Sequence, residues 1–211
     1  FGPLAAAYEC IGVMKPAASG AQPGPAGQLL ADDATFLLRA AGLGEAWRDL
    51  VSPYVFRAPL APAVAAAEEG RVVSANVIER AYRALQQQFS PVLVEGAGGL
   101  AVPLAESLLV ADLAGRLQLP LVVVANPRLG TVNHTVLTVE YARSRGLRVA
   151  GVVLNGWDEG AAGVLERSNV RYIERLAACP VVGKLPRLPQ DVLAAPGDGR
   201  LAAVAEASLD L

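Results

Sequence analysis

The segment Pro91-Val-Leu-Val-Glu-Gly-Ala-Gly-Gly-Leu-Ala-Val-Pro103 joins an apolar run to a carboxylate and a glycine-rich turn. The run is typical of a buried strand, which places Glu95 at the strand's carboxyl end. Glycine lets a ligand approach the backbone closely, and open α/β sheets bind ligands outside the carboxyl ends of their strands. The segment therefore predicts a strand that delivers Glu95 to a phosphate or metal site.

Short apolar runs alternate with longer amphipathic ones along the rest of the chain. Runs rich in Val and Leu and bounded by Pro or Gly predict five strands: Cys10–Met14, Val92–Val94, Leu119–Ala125, Val149–Leu154 and Val181–Val182. Amphipathic runs predict five helices: Gln28–Ala41, Ala75–Phe89, Ser107–Leu117, Val132–Ser144 and Ala162–Ala177. This alternation predicts an α/β fold, a parallel sheet with helices on both faces. The stretches Pro23–Gly27 and Asn155–Gly163 predict loops.

Composition limits the class of protein. The chain has 211 residues, of which 53% are hydrophobic, so we predict one domain with one core over residues 1–211. The formal net charge is −2 and the basic residues are scattered, which argues against a nucleic-acid partner. No apolar run reaches the roughly 18 residues of a membrane span. Cys10 and Cys179 are far apart without metal-like or redox spacing, as is typical of reduced thiols in a cytoplasmic protein.

The first predicted strand is followed by Lys15-Pro-Ala-Ala-Ser-Gly20. Lys15 and Lys184 are the chain's two lysines, and arginine supplies the other cationic side chains. A lysine kept at a strand end indicates that a compact ammonium is needed there. Taken alone, the pattern fits a solvated surface lysine at least as well.

Two acidic residues open a helical pattern in Ala31-Asp-Asp-Ala34. On its own this pair fits a helix's first turn, where carboxylates offset the positive end of the helix dipole.

A further segment, Ala125-Asn-Pro-Arg-Leu-Gly-Thr-Val-Asn-His134, leaves an apolar strand and enters a helix. Gly130 permits a tight turn, and we expect Thr131 to cap the helix. The free amides that follow predict a site for a carboxylate. His134 is the only histidine, but a lone histidine in a first turn is more often a packing residue, so we leave it out of the catalytic set.

In this order, the KPxxSG, aspartate, VEGAGG and LGxxNH segments resemble those of dethiobiotin synthetase, the ATP-dependent enzyme that closes the ureido ring of biotin's precursor. The resemblance implies a three-layer, doubly wound, mostly parallel sheet of the P-loop NTPase type. It also implies the role of each site residue. Lys15 is catalytic and stabilises the phosphates and the carbamate; Asp33 and Glu95 hold Mg²⁺. Substrate is bound by Ser19, Thr131, Val132 and Asn133.

The same resemblance implies a nucleotide site. Val152-Val-Leu-Asn-Gly156 and Gly183-Lys-Leu-Pro-Arg-Leu-Pro189 are ordinary strand exits on their own. Their order and spacing are similar to the family's adenine-binding elements. The ATP-binding set implied by the family is Asp33, Glu95, Gly96, Ala97, Gly98, Asn155, Gly156, Pro186, Arg187 and Leu188.

The family's reaction gives the expected partners. These are 7,8-diaminopelargonate, CO₂ or bicarbonate, and ATP with Mg²⁺, and we expect a homodimer with the substrate site at its interface. The family's chains begin with a strand and a G-x-x-x-x-G-K-[ST] phosphate-binding loop, which the 211 residues do not contain. Because Phe1–Tyr8 fits the end of a first helix, we expect that strand and loop upstream of residue 1.

Two other functions remain open on the sequence. A cobyrinate-synthase-like ATP-dependent ligase would share the sheet and the phosphate chemistry, but it would normally carry a glutaminase region that this length does not accommodate. A catalytically inert dimeric binding or scaffold relative would keep the substrate pocket without ATP turnover.

Overall fold

The computed structural model describes residues 11–210. The expected helix end at Phe1–Tyr8, and Cys10, lie outside the described residues. The first part of the fold is built on two parallel strands, β1 (Gly12–Met14) and β6 (Val92–Val94), with Gly12 opposite Val92 and Met14 opposite Val94. Three strand pairs accompany them: β2 (Ala17–Ala18) with β5 (Tyr54–Val55), β3 (Gln22–Pro23) with β4 (Leu29–Leu30), and β7 (Pro103–Ala105) with β8 (Leu108–Leu109).

The second part is a three-stranded parallel sheet. Its central strand is β10 (Val149–Trp157), which pairs with β9 (Leu121–Ala125) on one side and β11 (Val181–Pro186) on the other. Parallel neighbours need crossover connections, and helices supply them. The strand content and the parallel pairing agree with the α/β class predicted from the alternating pattern.

The helices pack their apolar faces on these strands. On the helix Ala75–Gln86 the buried residues Ile78, Ala81, Tyr82 and Leu85 recur at helical spacing. The helices are α1 (Asp32–Ala40), α2 (Arg48–Val51), α3 (Pro62–Glu68), α4 (Ala75–Gln86), α5 (Val110–Leu117), α6 (Thr131–Ser144), α7 (Val164–Ala177), α8 (Gln190–Ala194) and α9 (Arg200–Ser208), with a 3₁₀ turn at Glu45–Trp47. Within the described part of the chain, no helix is long and apolar enough to cross a membrane.

Most sequence-predicted elements are present with shifted ends, and three predictions were wrong in part. Residues 28–30 were predicted as helix, but Leu29–Leu30 forms β4 by pairing with Gln22–Pro23. Residues 107–109 were also predicted as helix, but Leu108–Leu109 pairs with Pro103–Ala105 as β8. The predicted loop at residues 155–163 begins later, because β10 continues through Trp157 alongside β11. In each case pairing with another strand outweighed the pattern within the segment.

A slot separates the two parallel sheets. Among the described residues no strand lies between β6 and β9, and both strands line one cavity of about 890 Å³. The walls of the cavity are mostly apolar. At the carboxyl end of β6, the cavity reaches Lys15, Glu95 and the Gly96–Gly99 turn. The slot therefore runs along two strand edges and ends at the predicted ligand site.

The backbone on both edges of the slot faces into it. On the β6 side, Pro91 O accepts a hydrogen bond from Gly12 N, and Glu95 N donates one to Met14 O. Because successive residues of a parallel strand bond to opposite sides, the main-chain groups of Val92 and Val94 point away from β1. On β9, Leu121 N donates to Arg148 O, so the groups of Val122 and Val124 point away from β10 in the same way. Each edge thus offers N–H and C=O groups that a further parallel strand would pair with.

Amide hydrogen exchange measured residue by residue tests this arrangement. We expect the amides of Leu93 and Val123, which face a paired strand, to exchange slowly, and those of Val92, Val94, Val122 and Val124 to exchange quickly. Fast exchange at Leu93 or Val123 would contradict the strand pairing described here, whereas uniform slow exchange along β6 and β9 would show that another segment is paired with both edges.

Candidate active site

The Lys15 side chain lies between two carboxylates at the carboxyl edge of the first sheet. Its Nζ donates to Glu95 Oε1 at 2.7 Å and to Gly96 O at 3.2 Å, and it lies 3.0 Å from Asp33 Oδ2. Lys15 is only 6% exposed. The three side chains that the sequence predicted as catalytic and metal-binding are therefore in direct contact, although they lie up to 80 residues apart.

The local fold explains why they meet. β1 and β6 run parallel, so their carboxyl ends fall at one edge, and the main chain of Glu95 is fixed there by its N–H bond to Met14 O at 2.8 Å. Asp33 lies in the first turn of α1, which begins after the extended residue Ala31. A negative side chain in that turn also suits the helix dipole. Hydrogen bonding of Lys15 N to Val51 O at 2.7 Å holds the strand end in place.

Electrostatics keep Lys15 charged. Burial by itself would lower the pKa of the Lys15 ammonium, but the negative charges and hydrogen bonds of Glu95 and Asp33 outweigh it and raise that pKa above its usual 10.5. The carboxylates remain open to solvent, with 28% of the Glu95 and 62% of the Asp33 side chain exposed. The site thus combines a fixed positive charge with two accessible anionic oxygens.

The two carboxylates fit a magnesium ion. Mg²⁺ is usually held by one or two protein carboxylates, with water and phosphate oxygens completing its shell. Asp33 and Glu95 provide such a pair, and each still has an oxygen that Lys15 does not engage. Over residues 11–210 no group of three or more His, Cys, Asp or Glu side chains is arranged to hold a metal by itself.

The turn after Glu95 depends on glycine at two positions. A Cβ on Gly96 would lie 3.0 Å from Val110 Cγ1, and Gly98 has φ of +75° with a Cβ position 3.0 Å from Val102 Cγ2. A side chain at either position would force neighbours to move, and at Gly98 it would also strain the backbone. Gly96, Ala97 and Gly98 line the slot beside Lys15, so ligand could contact their backbone.

Ser19 is separate from this cluster in the structure. It follows β2, its side chain is exposed, and it lines neither of the two cavities. The prediction that it binds substrate stays a prediction.

The start of α6 differs from the prediction in one respect. Gly130, with φ of +93°, is the N-cap, so the expectation that Thr131 caps the helix was wrong. Thr131 is the first helical residue; its side chain is buried, with Oγ1 3.5 Å from Thr135 Oγ1. Because glycine offers no capping side chain, the amides of Val132 and Asn133 have no partner in the described part of the chain. The predicted carboxylate site would therefore consist of main-chain amides.

A second cavity, of about 560 Å³, lies at the carboxyl ends of β9, β10 and β11. All five residues predicted near the base of the nucleotide line it: Asn155, Gly156, Pro186, Arg187 and Leu188. The sequence analysis missed Phe36, Asn126 and Arg128, which line it too. Asn126 and Arg128 directly follow a predicted strand, so the rule that ligands collect at carboxyl ends could have found them. Phe36 reaches the cavity from α1, which no local signal indicates.

The chain is also similar in sequence to known proteins. A family model described as an AAA domain matches residues 3–192. The ATP-dependent dethiobiotin synthetase BioD of Bacillus cereus (strain B4264) is 46% identical over 179 residues, which cover 83% of this chain and 70% of that protein. The ATP-dependent dethiobiotin synthetase BioD of Bacillus subtilis (strain 168) is 39% identical over 178 residues, covering 84% and 74%.

The fold also has a solved counterpart. The MinC:MinD cell division protein complex from Aquifex aeolicus matches with a TM-score of 0.54 at 12% identity, over 98% of this chain and 81% of that one. Identity this low concerns the fold alone. Together with the family match it confirms the predicted three-layer, mostly parallel fold of the P-loop NTPase type.

The Lys15 cluster predicts an alkaline limit to stability. Because the pKa of Lys15 is raised by folding, its contribution is complete below 10.5 and is lost as the pH rises through the folded value. We therefore expect the wild type to be more stable than Lys15→Met at pH 8, and this difference to shrink above pH 10.5. Urea unfolding at pH 8 and at a pH above 10.5 measures this difference in the free energy of unfolding, with Lys184→Met as the matched control. A difference that grows with pH would contradict the assignment.

Proposed function

Because the chain belongs to the ATP-dependent dethiobiotin synthetase family, as its motifs indicated, we propose that it closes the ureido ring of dethiobiotin from 7,8-diaminopelargonate, CO₂ and ATP. Membership of the family connects the chain with biotin biosynthesis. The observation that carries the proposal is the contact of Lys15 with both Glu95 and Asp33 beside a glycine-rich turn. That arrangement suits a reaction in which negative charge moves between a carbamate and a phosphoryl group.

The reaction proceeds in three steps. One amine of diaminopelargonate captures CO₂ and forms a carbamate. A carbamate oxygen then takes the γ-phosphoryl group of ATP, and ADP leaves. The second amine attacks the carbonyl of this mixed anhydride, the C–O bond to phosphate breaks, and the cyclic urea and phosphate are released. No step requires a covalent bond to the protein, so the protein's part is to position the reactants and stabilise charge.

Lys15 supplies the positive charge. Burial fixes its ammonium at one place, and a preorganised charge in a site of low polarity stabilises developing anions without rearranging. Asp33 and Glu95 would hold Mg²⁺, and the ion, when bound, neutralises the negative charge of the phosphates. The backbone of Gly96–Gly98 lies next to Lys15 and offers main-chain groups to the same anions.

The substrate's tail and the nucleotide's base would bind away from this centre. The carboxylate tail of diaminopelargonate is assigned to the free amides of Val132 and Asn133 at the positive end of α6. Ser19 would contact the substrate near the reacting amines. The adenine base is assigned to the second cavity, where Asn155 offers an amide side chain for hydrogen bonding and the Leu188 side chain adds apolar wall.

The slot between β6 and β9 is assigned to a further parallel strand. Its edges carry main-chain groups that point inward, and its walls are mostly apolar, both of which suit a buried strand. A loop at the carboxyl end of such a strand would lie beside Lys15 and Gly96. This is the position in which the phosphate-binding loop expected from the family would act. Occupation of the slot would convert the alternating amide exchange of β6 and β9 into uniform protection.

A homodimer through α6 would complete the substrate site. Leu129 is 84% exposed and Leu137 is 59% exposed, and both lie near the free amides at the start of α6. Exposed apolar side chains of this size, grouped beside a ligand site, are typical of surfaces that a second chain covers. The partner would shield the tail of the substrate from water.

Phosphate release by the purified protein tests the reaction. With Mg-ATP and bicarbonate present, we expect release to depend on diaminopelargonate. Asp33→Asn should lower kcat by roughly 10²-fold at a fixed magnesium concentration and raise the magnesium needed, because it removes charge from the reacting centre. Asp32→Asn changes the neighbouring acid and should behave like wild type.

Three outcomes would count against the proposal. Phosphate release that does not depend on diaminopelargonate would indicate a different reaction. Equal losses in the Asp32 and Asp33 variants would remove the metal-binding role from Asp33. No release at all would leave a binding protein without ATP turnover.

Light scattering after gel filtration tests the dimer. We expect wild type to elute as a dimer and Leu137→Glu as a monomer, because the charge would be buried against the partner chain. Val72→Glu places the same charge on another exposed apolar residue, away from α6, and should stay dimeric. A monomeric wild type, or a Leu137→Glu variant of unchanged mass, would overturn the proposed interface.

A further inference from the structure

One buried polar residue on α7 has no role in the site described so far. Asn169 is 6% exposed and lies on the buried stripe of the helix with Ile173 and Ala177. Its neighbours on that stripe are apolar, and an amide among them needs hydrogen-bond partners. Its Nδ2 donates to Pro127 O at 3.0 Å and to Arg128 O at 3.4 Å. The amide thus connects α7 to the loop between β9 and α6, some 40 residues earlier in the chain.

This loop, residues 126–130, sets the direction in which α6 begins. Asn126 Oδ1 accepts a hydrogen bond from Arg128 N at 3.0 Å, and Arg128 O also accepts from Thr131 N at 3.2 Å. Within the described residues, Asn169 is the only side chain from another element that is hydrogen-bonded to the loop. The carbonyl groups of Pro127 and Arg128 are therefore held towards α7, on the segment that leads into the start of α6.

We propose that Asn169 is a positioning residue for the substrate's carboxylate: by holding the Pro127 and Arg128 carbonyls it fixes the start of α6 and aims the Val132 and Asn133 amides at the tail of the diamine. The inference rests on the proposed function. Asn169 itself does not touch the carboxylate. It acts through the loop, so between two diamines that differ only at the tail, its effect should appear only with the one that carries a carboxylate.

Direct binding separates this role from general stability. We would measure, by calorimetry without nucleotide, the Kd of diaminopelargonate and of 2,3-diaminononane, in which a methyl group replaces the carboxylate. Asn169→Asp keeps the shape but places an acceptor against two carbonyl oxygens. We expect it to weaken diaminopelargonate binding about tenfold, the factor that one ordinary hydrogen-bonded contact is worth. Binding of 2,3-diaminononane should be unchanged.

Two further variants keep the test decisive. Asn169→Leu removes the donor without adding charge, and it serves if Asn169→Asp does not fold. Ser168→Ala changes the adjacent residue, whose Oγ bonds only to Leu165 O of its own helix, and it should match wild type with both ligands.

The outcomes distinguish the two proposals. If wild type prefers diaminopelargonate and both Asn169 variants lose that preference, the inference is supported. If wild type prefers diaminopelargonate and the variants keep that preference, Asn169 is not a positioning residue. The same conclusion follows if the variants bind both ligands more weakly by the same factor. If wild type binds the two ligands equally, or binds neither, the carboxylate site at α6 is wrong and the inference falls with it.

Discussion

The contact of one buried ammonium with two carboxylates organises this protein. Without Lys15, Glu95 and Asp33 would place like charges close together at the edge of the sheet, and without the carboxylates Lys15 would be a buried charge that burial disfavours. Each group therefore offsets the electrostatic cost of placing the others at this point. The contact joins β1, β6 and α1 at one point, and it leaves carboxylate oxygens exposed for a cation. The same interaction that holds the edge of the sheet together supplies the charges that the proposed phosphate chemistry needs.

The two cavities are not independent, because β9 is the wall between them. Val122 and Val124 line both, and Val124 is 49% exposed although it lies within a strand. A central strand of a parallel sheet is normally buried on both faces and paired at both edges. β9 is paired only with β10 among the described residues. Whatever pairs with its free edge would also stiffen one wall of the proposed nucleotide site, which links completion of the sheet to nucleotide binding.

The sequence predicted which side chains would lie at strand ends better than it predicted the boundaries of the elements, and the reason is topological. Lys15, Glu95 and Asn155 could be placed because parallel strands bring their carboxyl ends to one edge, whatever the details of pairing. Where strand pairing decided the secondary structure, as at Leu29–Leu30, the local sequence pattern gave a wrong prediction. Thr131 was predicted to cap α6, but the N-cap is Gly130, which adopts a left-handed conformation. Phe36 and Asn169 act across long sequence separations, so no window of sequence could reveal their contacts.

Long-range contacts of this kind explain how a simple motif becomes a specific site. A glycine followed by a helix start offers free amides wherever it occurs, and alone it would bind any anion weakly. Its direction relative to the reacting centre is set by the loop before it, and that loop is attached to α7 by the Asn169 amide. Specificity for a substrate with charge at both ends requires the distance between two sites to be fixed. In the proposed function, Lys15 would fix the reacting end through β1 and β6, and the contact between α7 and the β9–α6 loop would fix the carboxylate end.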